Sequence, residues 1–97
     1  MTDTLAALIV LRFNGHSQCS DALKASIKES CVGMSMEYEF ELATSSTTDS
    51  GFHAYVEVLQ SPSGRPLTLK RLDSLRDELA TDVGCMVSSA RLLKGGA

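Results

Sequence analysis

From Thr4 to Phe13 the chain reads TLAALIVLRF, an almost continuous apolar run that stops at Asn14-Gly15. So short and unbroken a run, closed by a turn signal, predicts a strand buried on both faces and central in a sheet. Beyond it, Ser17 or Ser20 can cap a helix over about residues 21–30, with Leu23, Ile27 and Cys31 on its apolar stripe and Gly33 at its stop. The period then shortens to two. In residues 34–42, MSMEYEFEL, Met36, Tyr38, Phe40 and Leu42 alternate with Glu37, Glu39 and Glu41, the pattern of a half-buried strand. The polar stretch 43–51, ATSSTTDSG, is expected to be a surface loop, too long for a tight hairpin. Residues 52–60 alternate again, with Phe52, Ala54, Val56 and Val58 on one side and His53, Tyr55 and Glu57 on the other. After a turn cluster at 61–66, Thr68 caps a second helix with the stripe Leu69, Leu72, Leu75, Leu79 and Val83, and Gly84 follows its end. Residues 85–93, CMVSSARLL, form a last strand, and 94–97 a frayed tail.

The resulting order, βαββαβ, predicts one α+β domain over residues 1–97, ordered from about 4 to 93. Right-handed crossovers lead to a ferredoxin-like sandwich: an antiparallel four-stranded sheet of order 4-1-3-2 with both helices on one face. The placement is self-consistent. The most apolar strand falls in the centre, and the strand with a glutamate at every second position falls at an edge, where charges block pairing with other chains.

Charge and cysteine usage narrow the partners. Nine Lys plus Arg against twelve Asp plus Glu leave a net charge of −3, which argues against a nucleic-acid backbone as partner. Cys19, Cys31 and Cys85 are an odd number without CxxC or Cys/His spacing, so a disulfide framework or zinc site is not expected. Reduced thiols point to the cytoplasm. The apolar run at 5–11 follows Asp3 instead of a basic residue and lacks a cleavage signal. It also falls far short of the ~20 residues that cross a bilayer, so no membrane partner is expected.

Three regions are candidates for function. In the first, both helix N-termini are expected at one end of the sheet, where their dipoles and free N–H groups favour an anion. Asn14, Gly15, His16, Ser17 and Gln18 would line that site beside Ser63, Gly64 and the Arg65 guanidinium, whose fork suits carboxylate or phosphate. These residue types are also the usual turn and cap formers. Cys19, three residues after His16, is a rival nucleophile, but no third group orients the pair, and no catalytic set or cofactor is predicted.

The second region is the sheet face away from the helices. A symmetric 43–51 loop would oppose Glu41 to His53, Glu39 to Tyr55 and Glu37 to Glu57, with Arg12 near enough to relieve the last pair. A cation held by these carboxylates and His53, or a small enzyme using His53 with Glu41, is the sharper alternative to a solvated acidic strip. Flat sheet faces rarely converge ligands, so no metal is predicted. Ala6, Leu8 and Val10 add an apolar centre on which something can pack. Third, residues 85–90 carry no charge and no proline, an edge open to pairing. A homo-oligomer, most simply a dimer through residues 85–93 or through the open face, is therefore expected.

In element order and lengths, residues 5–93 resemble an ACT domain, a ferredoxin-like regulatory module of amino-acid metabolism. Gly15 stands where such modules carry a loop glycine after the first strand, while their acidic residue and proline have no counterpart in Asn14-Gly15-His16-Ser17. The resemblance implies an oligomeric, non-enzymatic module that holds a small anionic ligand, such as an amino acid or nucleotide, or a protein partner. An adaptor without any small ligand remains the other reading of the same residues.

Overall fold

Alternation along each strand decides what it buries. In the computed structural model, which describes residues 4–14, 20–33, 38–61 and 65–93, β1 (Thr4–Asn14) turns Ala7, Ile9, Leu11 and Phe13 into the core. Leu8 and Val10, on its other face, are only half-buried. The expectation of burial on both faces is thus met on one. β3 (Gly51–Gln60) buries Phe52, Ala54, Val56 and Val58 in the same way. The chain continues from β1 to α1 (Ser20–Gly33), β2 (Tyr38–Thr48), β3, α2 (Leu69–Asp82) and β4 (Val87–Leu92). All strand pairs are antiparallel, and the sheet order is β2-β3-β1-β4, which read from the opposite edge is 4-1-3-2.

Both helices bury their stripes against one sheet face. Ile27 and Cys31 from α1 and Leu72, Leu75, Leu79 and Ala80 from α2 join Ile9, Leu11, Phe40, Val56 and Val58 in one contiguous core. Leu69 departs from its expected place on the stripe. It is the first residue of α2 and is 55% exposed, while Leu72 in the same turn is fully buried.

Local chemistry accounts for both ends of α2. The Thr68 side chain accepts a hydrogen bond from the Arg71 N–H at 3.2 Å, satisfying one of the amides that a helix start leaves free. At the other end, Gly84 N–H donates to Thr81 O and Cys85 N–H to Ala80 O, a Schellman closure in which Gly84 takes a left-handed φ of 70°.

The principal correction concerns β2. Residues 43–48 are strand and not loop, and the chain reverses at Asp49-Ser50. Serine and threonine pair well on an edge strand, whose outer side faces water in any case, so polarity there does not signal a loop. The register moves with the turn. Glu41 lies opposite Glu57, Glu39 opposite Leu59, Thr44 opposite Tyr55 and Ser46 opposite His53, with a bulge between Leu42 and Thr44. The expected pairs Glu41–His53 and Glu39–Tyr55 do not occur; Glu37 lies outside the described residues.

Candidate functional site

The strand directions overturn the anion pocket. Antiparallel pairing sets Asn14, at the end of β1, opposite Gly51, while Gln60, at the end of β3, lies opposite Thr4. Arg65 belongs to the second end, because its carbonyl accepts hydrogen bonds from the Gln60 amide and, at 3.4 Å, from the Tyr38 hydroxyl. Ten residues of β1 separate the ends, roughly 33 Å at about 3.3 Å per residue, in a molecule 41 Å long. Asn14 and Arg65 therefore cannot share a ligand. In an antiparallel sheet, each strand that is the other's neighbour delivers its helix to the opposite end, so the two helix starts diverge. Gly15, His16, Ser17, Gln18 and Cys19, with Ser63 and Gly64, lie outside the described residues.

The helix-free face of the sheet is the surface the strands do assemble. Pairing arranges its side chains in rows that cross all four strands. One row holds Glu41, Glu57, Leu8 and Arg91, and the next holds Thr44, Tyr55, Val10 and Ser89. A further row holds Ser46, His53, Arg12 and Val87, and at the opposite end Leu59 lies between Glu39 and Leu5. Leu5, Leu8, Val10, Tyr55 and Leu59 are half-buried at the centre. The carboxylates sit toward β2, and the guanidinium groups of Arg12 and Arg91 sit on β1 and β4. Arg12 faces His53 and not Glu57, so it does not relieve the glutamate pair, as a parallel arrangement of β1 and β3 would have required.

The chemistry this face can do is limited by the same register. His53 and Glu41 are separated along the sheet, each opposite another residue, so the acid–base or cation-binding set built on them is not assembled. Among the described residues, no group of three or more His, Cys, Asp or Glu side chains converges as a metal site. The described cysteines have distinct settings. The Cys85 thiol donates to the Val87 carbonyl at 3.1 Å and lies 3.4 Å from that of Arg12, tying the start of β4 to β1. Cys31 is buried in the core, and desolvation pushes its pKa up to about 11 from the usual 9.0.

This shift has a measurable consequence. Between those two values the unfolded chain has lost the Cys31 proton and the native chain has kept it, so stability falls as pH rises through the window and is unaffected below it. Urea unfolding at pH about 8 and about 10 should show a drop that Cys31→Ala reduces. An equal drop in both proteins would show that Cys31 does not carry it. In the native protein at neutral pH, Cys31 should also alkylate more slowly than Cys85.

A concavity that sequence reasoning missed lies between the helices. Glu29, Ser30 and Gly33 of α1 and Ser74, Asp77, Glu78, Thr81 and Asp82 of α2 line an open cleft of about 800 Å³. Its signal was available: the α2 residues follow helical spacing on one face, and that face is small or acidic throughout.

No family model, curated protein or solved structure matches the chain. No described helix is long and apolar enough to cross a membrane.

Proposed function

We propose that this chain is a non-enzymatic, self-associating regulatory module of ferredoxin-like topology, ACT-like in its layout, whose working surface is the helix-free face of the sheet. The observation that carries this reading is the patch of Leu5, Leu8, Val10, Tyr55 and Leu59 on the two central strands, with Glu57 set among them, Arg12, Glu39, Glu41 and Arg91 around them, and no described element covering them. An apolar centre with a polar rim is the anatomy of a protein contact. The two edges of the sheet are poorer candidates. β2 carries Glu39 and Glu41, and β4 is six residues long and includes Arg91, both devices that discourage edge pairing. The unpaired Cys31 and Cys85 fit the reducing cytoplasm as its setting.

A four-stranded face of roughly 20 by 25 Å is a small interface, for which micromolar association is the natural expectation. Sedimentation velocity from low micromolar to near-millimolar concentrations should show a reversible monomer–dimer equilibrium. Tyr55→Arg, which adds a third cation to Arg12 and Arg91 on this face, should shift it toward monomer. A wild-type chain that stays monomeric over the whole range would remove this reading.

A further inference from the structure

The arrangement of charge on the open face also specifies the partner and its orientation. We infer that the face docks on a second copy of this chain, about a two-fold axis that runs parallel to β1 and β3 and midway between them. The inference rests on the proposal that the open face is the working surface, and adds to it the occupant and the geometry.

The row Glu41, Glu57, Leu8, Arg91 holds the unbalanced charges of this face. Glu41 and Glu57 are directly opposite each other on one face, an arrangement that is unfavourable for like charges. The cation of the row, Arg91, stands two strands from Glu57 and three from Glu41, about 10 and 14 Å at a strand spacing of about 4.8 Å. Among the described residues, Arg12, Glu41, Glu57 and Arg91 make no ion pair. The isolated chain thus leaves a carboxylate pair and its counter-charge apart, at the same height along the strands.

A two-fold axis parallel to the strands resolves this. It exchanges β2 of one copy with β4 of the other and β3 with β1, and it keeps every row at its own height. Arg91 of the second copy then comes over Glu41 and within reach of Glu57, and the symmetric contact forms at the other side. Tyr55 comes over the second copy's Val10, which closes the apolar centre. Twisted sheets packed face to face cross at about 30°. At about 7 Å from the axis this displaces the outer strands by roughly 4 Å, within the reach of an arginine and a glutamate side chain. The other in-plane two-fold axis, perpendicular to the strands, lays β2 on β2. Passed through the glutamate row it stacks carboxylate on carboxylate, and passed through the Tyr55 row it sets Glu41 over the second copy's Ser46 and Arg91 over its Val87. The parallel axis is therefore the one that brings Glu41 and Arg91 together. In the outer row the favoured axis sets Arg12 over the second copy's His53, which adds no attraction; the selection comes from the glutamate row.

The test uses the full chain and two charge reversals on exposed side chains, Glu41→Arg and Arg91→Glu. By sedimentation velocity each variant alone should self-associate at least about tenfold more weakly than wild type, because each now faces two like-charged contacts. Mixed in equal amounts, they should form a heterodimer within about threefold of wild-type affinity, since both contacts become complementary, and the double variant carrying both changes should recover self-association likewise. Circular dichroism of each variant establishes that it is folded. If the wild type dimerises and Glu41→Arg does so equally well, the interface lies elsewhere, with the β4 edge the natural place, and this proposal falls while self-association stands. Failure of the mixture to recover binding, with both variants folded, also overturns it. A strictly monomeric wild type removes both the proposal and the reading beneath it.

Discussion

Gly51→Ala is expected to lower the free energy of unfolding by about 3 kcal/mol or more, enough to leave a marginal domain of this size partly unfolded at room temperature. Gly51 opens β3 directly after the Asp49-Ser50 turn, with φ at 138°, a region that residues with a Cβ avoid. Space makes the position stricter still. An added Cβ would lie 2.1 Å from the carbonyl oxygen of Phe13 and 2.8 Å from Asn14 Cα, both backbone atoms of the neighbouring strand that cannot rotate away. Relief would require β1 and β3 to part at the end where Asn14 faces Gly51. Gly84 supplies the control. Its φ of 70° is also positive, but a Cβ there meets nothing within 4 Å. Gly84→Ala should therefore carry only the conformational term, about 1–2 kcal/mol. Urea unfolding of the two variants, compared at equal slope, measures the difference. Equal losses would mean that β1 does not pass over Gly51 as described, and the register of the central pair would need revision.

That register marks the boundary between what the sequence made legible and what it concealed. Features specified by neighbouring residues could be read directly. Thr68 caps its helix because its oxygen lies within reach of an amide three residues on, and Gly84 ends the same helix because it alone tolerates the left-handed turn. The alternation of Phe52, Ala54, Val56 and Val58 names its buried face without reference to the rest of the fold. The errors came from relations between elements. Reading 43–51 as a loop displaced the β2–β3 pairing by four residues, enough to separate Glu41 from His53 while leaving the buried faces of Phe40 and Val56 correct, because an even shift preserves parity. The anion pocket failed for a reason of direction. Two adjacent strands that run oppositely cannot hand their helices to the same end, so a pocket shared by Asn14 and Arg65 was already incompatible with the antiparallel 4-1-3-2 order expected of the chain. The open face was legible as a composition, with glutamates, Tyr55, Leu8 and Val10 together. Its rows became visible only once the turn at Asp49-Ser50 fixed which residue faces which.

Phe52→Ala should produce the other large loss, about 3–5 kcal/mol, equivalent to a fall in Tm of about 15 °C or more for a domain of this length. Phe52 is fully buried, and its ring lies 6.1 Å from that of Phe13, tilted by 48°, across the β1–β3 pair. Truncation removes the transfer energy of the ring and leaves a cavity that a sheet pinned at Gly51 is poorly able to close. Part of the loss belongs to the ring pair. In a cycle with Phe13→Ala, the double variant should lose about 1 kcal/mol less than the sum of the single losses, the coupling expected of a tilted aromatic contact. Strict additivity would show that the rings pack independently. The same variant separates stability from self-association. Phe52 points to the helices, while its neighbour His53 and the rows of Tyr55 and Glu57 occupy the opposite face. At a temperature where Phe52→Ala remains folded, its dimerisation should match wild type, whereas the exposed reversals Glu41→Arg and Arg91→Glu should leave Tm nearly unchanged and weaken association. A core variant that loses dimerisation in proportion to stability would indicate that the sheet reaches its docking shape only through contact with the second copy.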